Sequence, residues 1–259
     1  MSPRYLTALA VTLLLAALPG RADEVADRWV AKARSYLGSD AALNAVRSLH
    51  FQGTFPTTEQ VPDPADPQKT VEQPVRVAID IVFQRSMQQR QILRSDRVER
   101  VTALDDYDGW EKVSDLTGKN NARLTLLDTM SIKRLRATTI ENLSFYSGRV
   151  GSRQIEFLGE ETVDGVPCVK LSFTHGGSIV FLRYFEQSSG RLVKTVVEGG
   201  GEIREEGELI VSGIRFPKKV INQSPGGRST TITFEQIAVN ESFPAETFAV
   251  PALPTAAAR

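Results

Sequence analysis

The sequence predicts an α+β, mainly β fold: a single strongly curved antiparallel sheet of about ten or eleven strands, a half-barrel whose concave apolar face is lidded by helices. Three observations predict it. The C-terminal third alternates apolar and polar residues in short runs broken by Gly, Ser or Asn, which is the pattern of an antiparallel meander. Val75, Val77, Ile79, Ile81 and Phe83 share one strand face, with Arg76, Asp80 and Gln84 on the other. Between the two strand blocks the period changes to helical over Ala122–Tyr146. A sheet this size with one apolar face must curl and be covered.

In chain order, Asp23–Leu37 is the clearest helix, with Val25, Trp29, Ala33 and Tyr36/Leu37 on one face and Gly38 ending it. A short helical piece follows from Ser39 to Val46, capped by Ser39 or Asp40, and Leu49–Phe55 then takes strand period. Pro56, Pro62, Pro64, Pro67 and Pro74 crowd the next stretch, so Thr57–Gln73 is expected to be an exposed loop at the tip of a hairpin excursion. Strands are expected over Val75–Phe83, Gln89–Arg94, Arg97–Leu104 and Gly109–Val113. In Ala122–Tyr146, Leu124, Leu127, Ile132, Leu135, Ile140, Leu143 and Phe145/Tyr146 recur at helical intervals, predicting two short helices that form a movable lid. Leu127 and Met130 would face inward, and Arg123, Lys133, Arg134 and Arg136 outward, toward an acidic partner or anionic headgroups. The remaining strands are Val169–Phe173, Ser178–Phe185, Arg191–Glu198, Glu208–Phe216 and Arg228–Ile237. Residues 252–259 read as a disordered tail.

The first 22 residues read as an export signal. Arg4 is a short positive region, Leu6–Leu18 is apolar apart from Thr7 and Thr12, and Gly20-Arg21-Ala22 offers small residues for cleavage after Ala22. The apolar run is shorter than the ~20 residues that span a bilayer. The only cysteine is Cys168, so no acylation cysteine follows the cleavage point and no internal disulfide is expected. A soluble periplasmic protein is predicted. The mature chain forms one domain over residues 23–251, with a near-neutral side-chain balance: removing Arg4 and Arg21 leaves 29 Lys+Arg against 31 acids. That excludes the basic footprint of a nucleic-acid binder.

The chemistry-bearing residues form no catalytic constellation. His50 and His175 are far apart, and His175 stands beside Gly176-Gly177 in an expected hairpin turn, where a solvated or hydrogen-bonded ring is the default. Cys168 follows Pro167 and reads as a packed thiol. Asp105-Asp106-Tyr107-Asp108-Gly109 fails the EF-hand spacing, with Leu104 and Asp115 where oxygen ligands are required, and reads as a strand-to-strand turn. Trp110 is expected at the rim of the cavity. Gly199-Gly200-Gly201 and Gly226-Gly227 open no helix and cradle no phosphate. No catalytic residue, metal site or cofactor is expected.

The turns carry a resemblance. Gly159-Glu-Glu-Thr-Val-Asp-Gly-Val-Pro-Cys168, then Tyr184-Phe-Glu-Gln-Ser-Ser-Gly190-Arg-Leu, Val211-Ser-Gly-Ile-Arg-Phe-Pro217, Ile237-Ala-Val-Asn240 and Phe248-Ala-Val-Pro251 are similar to the periplasmic lipoprotein-carrier superfamily of LolA, LolB and their relatives. Asp164-Gly165 and Ser189-Gly190 would make tight turns, and Gly213 with Pro217 would bend and end a strand. The resemblance covers most of the chain from Asp23 to Pro251. It implies a half-barrel with a helical lid around a cavity that receives acyl chains in the carriers, while more distant relatives bind other lipids or act as envelope-stress sensors. The Pro56–Pro74 excursion is longer than a minimal carrier needs, and no one arginine of this chain matches the carriers' cavity arginine.

The expected function is therefore a non-enzymatic, monomeric binding protein that holds a lipid or acylated lipoprotein cargo, with transient membrane or envelope-protein partners. The cargo would meet Val77, Ile79, Ile81 and Phe83, the C-terminal Phe173, Phe181 and Phe234, and Leu127 and Met130 from the lid. The alternative is an envelope partner-binding or stress-sensing module whose core is filled by its own side chains.

Overall fold

Thirteen strands form one open antiparallel sheet in the computed structural model, which describes residues 19–66, 68–118, 121–148, 153–176 and 178–252, with side chains from residue 24. The apolar stretch Leu6–Leu18 and residues 253–259 of the expected tail lie outside the described residues. The described residues open with helix α1 (Pro19–Leu37) and the short α2 (Asp40–Asn44), whose Ser39 cap accepts a hydrogen bond from the Ala42 amide at 3.2 Å. Strands β1 (Ser48–Pro62), β2 (Thr70–Gln84), β3 (Gln88–Arg94), β4 (Val98–Asp105), β5 (Asp108–Asp115) and β6 (Ala122–Leu126) follow, then helix α3 (Thr129–Ser144). The second block is β7 (Gln154–Val163), β8 (Val166–His175), β9 (Ile179–Glu186), β10 (Leu192–Val196), β11 (Glu202–Glu206), β12 (Leu209–Val211), β13 (Ile214–Phe216), β14 (Lys219–Gln223) and β15 (Ser229–Val239).

The sheet order is β6-β5-β4-β3-β2-β1-β15-β14-β11-β10-β9-β8-β7, so the last strand closes beside the first and joins the two blocks. Helix α3 touches β2 through β5 on one limb and β9 on the other, which requires the sheet to curl around it. Bulges assist the curl, one of them at Gln52/Gly53. A Cβ on Gly53 would lie 2.2 Å from the Thr233 carbonyl oxygen, so the bulge admits only glycine without backbone movement.

The mainly β class holds, with four corrections. The sheet has 13 strands rather than ten or eleven, and a separate two-stranded β12–β13 hairpin lies outside it. That hairpin replaces the single strand expected over Glu208–Phe216, because Ser212 (φ 54°) and Gly213 (φ 76°) form a tight turn rather than a bend. The expected exposed loop Thr57–Gln73 is largely strand. Thr57 to Pro62 pairs with Val75 to Thr70, leaving only 63–69 as the connection, although most of the arm's side chains are exposed. The prolines fit because the Ser48 carbonyl accepts from the Asn240 amide, on the side away from β2, and the β1–β2 register runs unbroken from there. Pro56 and Pro62 share that parity, and Pro74 lies opposite Thr58, which shares it too. Each proline therefore lacks an N–H that would have pointed outward.

Fourth, Ala122–Tyr146 is a strand plus one helix, not two helices. Asp128 caps α3 by accepting from the Ser131 amide at 2.7 Å and needs extended backbone (φ −73°, ψ 166°), which separates the edge strand from the helix. The leucines at 124 and 126 fit a strand period as well as a helical one.

Turns read from sequence are in place. Asp164 (φ 50°) and Gly165 (φ 79°) form the two-residue β7–β8 turn, and Asp106 (φ 53°) with Tyr107 joins β4 to β5.

Two apolar clusters occupy the concave side. Leu49, Phe51, Phe83 and Phe234 pack with Leu43 of α2, Leu143 of α3, Phe145 beyond it, and Ile214 and Phe216 of the hairpin. Ala26, Val30 and Ala33 of α1 pack on Val169, Leu171, Phe173 and Phe185 beside Tyr146. Each Val, Leu, Ile or Phe side chain among them stabilises the fold by about 1.5–3 kcal/mol on leaving water. On the opposite sheet face Cys168 packs with Val163 and Tyr184, and burial pushes its thiol pKa up.

Candidate functional site

Between the two clusters lies a cavity of about 410 Å³. Its walls change character along the sheet. Ile81 and Phe83 of β2, Leu49 and Phe51 of β1 and Phe234 of β15 form an apolar lobe. Val220 and Asn222 of β14, Ile203 and Glu205 of β11, Thr195 of β10 and Phe181 and Arg183 of β9 continue it as a mixed lobe. Strand register aligns part of that lobe: Arg183 pairs with Thr195, Thr195 with Ile203, and Ile203 with Asn222. Helix α3 and the turn after it cover both lobes with Thr138, Glu141, Asn142, Phe145 and Tyr146.

A buried ion network closes the mixed end. Glu141, on the inner face of α3, accepts from Arg153 Nη1 at 3.0 Å, from His175 Nε2 at 2.6 Å, and from Arg183 Nη1. Arg153 also donates to Ser144 Oγ at 2.8 Å and to the Tyr146, Ser147 and Gly148 carbonyls. Burial alone would raise the Glu141 carboxyl. The Arg183 charge, the His175 hydrogen bond and the Arg153 charge outweigh it and hold the pKa at about 2. Arg183 lies over the rings of Tyr146 and Phe173, 4.9 and 4.7 Å from their centroids. Its Nε is buried without a hydrogen-bond partner among the described residues. Burial raises the pKa of Tyr146 and of Glu205, and Arg183 only partly offsets this for Glu205.

The network pins one end of α3. Arg34 of α1 reinforces it by donating to the Ser144 and Phe145 carbonyls at 3.0 Å each, and it pairs with Asp40 at 2.7 Å. The other end is held from outside, by Arg134 to Glu198 at 3.0 Å and by Arg136 to Asp106.

No family model matches this chain, and no curated protein matches it in sequence. Solved structures do match in three dimensions. A LolA superfamily protein from Nitrosomonas europaea aligns with a TM-score of 0.52 at 13% identity, over 87% of this chain and 97% of that one. A DUF1329 family protein from Desulfovibrio piger gives 0.51 at 11% identity, covering 86% of this chain and 97% of that one. A putative outer membrane lipoprotein-sorting protein domain from Vibrio parahaemolyticus gives 0.50 at 9% identity, covering 88% and 96%. The fold is LolA-like. At these identities the likeness is one of fold.

The cavity brings together four of the nine residues expected at the cargo surface. Ile81, Phe83, Phe181 and Phe234 line it. Val77 and Ile79 are buried on the same face of β2, farther toward the arm and outside the lining. Phe173 is fully buried beneath Arg183, one layer below the wall. Leu127 packs over Gly109 at the sheet edge and Met130 is exposed, because α3 meets the cavity with its C-terminal half rather than its first turn. Trp110 is not on the rim: it is buried and donates from Nε1 to the Phe248 carbonyl at 2.8 Å, tying down the C-terminal segment. Of the two readings of His175, the hydrogen-bonded one holds: the ring is buried at the end of β8 and bonds to Glu141.

His50 faces away from the cavity, bridging Asp80 at 2.9 Å and Glu241 at 2.6 Å. Burial would raise the Asp80 carboxyl, but hydrogen bonds from His50 and Gln52 bring it below its ordinary value. Among the described residues no group of three or more His, Cys, Asp and Glu is placed to hold a metal ion, and no helix is long and apolar enough to cross a membrane.

Proposed function

We propose that this chain is an exported envelope binding protein that holds an apolar cargo, a lipid or the acyl group of a lipoprotein, between its curved sheet and α3. The observation that carries the reading is the 410 Å³ cavity with its apolar lobe, a volume within the range of small-ligand sites. A dozen methylenes buried there at ~0.8 kcal/mol each supply on the order of 10 kcal/mol before ordering costs, enough for retention with release. The fold shared with the putative outer membrane lipoprotein-sorting protein domain supports the cargo class, and the Leu6–Leu18 pattern supports a periplasmic address. The protein acts without catalysis or cofactor, as a monomer that meets membranes or envelope proteins transiently.

In this reading α3 opens about its pinned C-terminal end. Its first half is held by solvent-exposed ion pairs of small net worth, and its last turn by the buried network. Amides of Thr129–Arg136 should exchange faster than those of Val77–Phe83 and slow when a fatty-acid probe is added. Equal exchange with and without the probe would count against a lid.

The direct test is mass spectrometry of organic extracts from protein purified out of its native envelope, together with uptake of a fluorescent fatty acid. Ile81→Glu places a charge in the apolar lobe and should abolish uptake while the circular dichroism spectrum stays native. Loss of the fold instead would favour the second reading, a partner-binding module with a self-filled core, which the network locking α3 to the sheet also fits.

A further inference from the structure

The inward face of β11 carries a carboxylate where an apolar residue is expected, as β9 carries Arg183. Ile203 and Glu205 both line the cavity, while Arg204 and Glu202 lie on the other face, where they pair with Asp164 and Lys194. A charged residue at an inward strand position is a local conflict, and such conflicts concentrate at functional sites. Among the described residues the Glu205 carboxylate has no hydrogen-bond or ion-pair partner. The cation that acts on it is Arg183, which donates its Nη1 to Glu141; Arg215, which also lines the cavity, pairs with Glu208. Burial disfavours the charged form of Glu205, the Arg183 charge offsets this only in part, and no hydrogen-bond donor among the described residues relieves it.

From this we infer, resting on the cavity reading above, that the cavity takes one single-chain amphiphile in one orientation, its uncharged N–H donor head bonded to Glu205 and its chain in the apolar lobe. Three features converge on it. The lobes are ordered along the sheet, with Phe51, Phe83 and Phe234 at one end and Asn222 and Glu205 next to them, on the way to Arg183 at the other. The side-chain amide of Asn222, across from Ile203 and also lining the cavity, has no hydrogen-bond partner among the described residues and can donate to a head-group carbonyl. At about 30 Å³ per water-sized group, 410 Å³ holds roughly a dozen heavy atoms, the size of one chain and not of two or three. Glu205 is thus a specificity-determining residue: it accepts from a donor head, and it rejects an anionic one by repulsion and by leaving two carboxylates unpaired.

The test measures binding of three probes to the full chain at neutral pH: dodecanamide, methyl dodecanoate and dodecanoate. The amide should bind about tenfold more tightly than the ester, as loss of one buried hydrogen bond requires, and dodecanoate weakest. Glu205→Leu should bring the amide and ester within about twofold of each other. Glu205→Gln, which keeps the shape and can donate, should admit dodecanoate and is the arm to use if the leucine variant does not fold. If the amide and ester bind wild type equally, or either variant keeps the wild-type ranking, Glu205 merely balances the charge of Arg183 and the inference falls while the cavity reading stands. If none of the three probes binds, the cavity reading falls and takes the inference with it.

Discussion

The apolar lobe and the ion network sit at opposite ends of one cavity and are stabilised by opposite physics. Around Phe51, ring centroids of Phe83, Phe216 and Phe234 lie 5.2–6.2 Å away, and each contact is non-directional and individually weak. Around Glu141, three cationic or donor side chains converge on two oxygens from three separate stretches of chain. An area-driven wall loses energy in small steps and can reshape around a guest. A buried charge cluster keeps its energy only while every partner is present. The difference teaches where the protein can yield: at the phenylalanines and not at the glutamate.

Removing the glutamate is the severest way to break that comparison. Glu141→Ala leaves Arg153 and Arg183 buried beside one another without a counter-ion and should cost about 3–5 kcal/mol in a urea titration. A loss below about 1 kcal/mol would mean that water or rearrangement satisfies the two guanidinium groups, and that this end is as pliant as the other.

Acid should act on the same end. The Glu141 carboxyl, held at about 2 against an ordinary 4.5, is depressed in the folded state, so its contribution is complete above 4.5 and is lost as pH falls toward 2. The size is on the order of 3 kcal/mol. Glu205 runs the other way, because its raised pKa favours the folded state as it protonates. Thermal melts across this window should show falling stability in wild type and a flatter profile in Glu141→Gln; parallel profiles would remove Glu141 from the account of acid sensitivity.

The phenylalanine lobe should respond more mildly. Phe51→Leu should cost about 1 kcal/mol and leave an intact fold with a roomier cavity, seen as tighter uptake of a bulkier fluorescent chain. A cost as large as that of Glu141→Ala would show the lobe to be as tightly specified as the network. Smallest of all, Arg134→Ala removes an exposed pair with Glu198 and should leave the melting temperature unchanged while speeding amide exchange in the first turns of α3. Unchanged exchange would place the hinge elsewhere.

The strand blocks and their turns were legible because period-2 alternation and Asp-Gly pairs act locally. Val75 to Phe83 and Asp164-Gly165 needed no tertiary information. The network was not legible as a unit, since Glu141, Arg153, His175 and Arg183 come from a helix, a connection and two strands. Its traces were present nonetheless. His175 follows Leu171 and Phe173 at inward positions of β8, and Arg183 sits between Phe181 and Phe185 on β9. A charged or titratable residue at an inward strand position was the signal, and the same signal marks Glu205. The arm beyond Phe55 was misread for the opposite reason: proline density suggests a loop unless the free outer side of each strand is known, and that depends on β15 ending its pairing at Thr54 and β3 at Ala78.

Those outward-facing prolines reach beyond the architecture of the arm. A paired ribbon that projects past its neighbours carries two unguarded edges, each a template on which a second molecule could add a strand. Pro56 and Pro62 on one edge and Pro74 on the other delete the donors such an addition would use, so the longest hairpin of the protein is poorly suited to seeding self-association. The arm can therefore stay extended and solvent-facing in a crowded compartment without drawing its copies into fibrils.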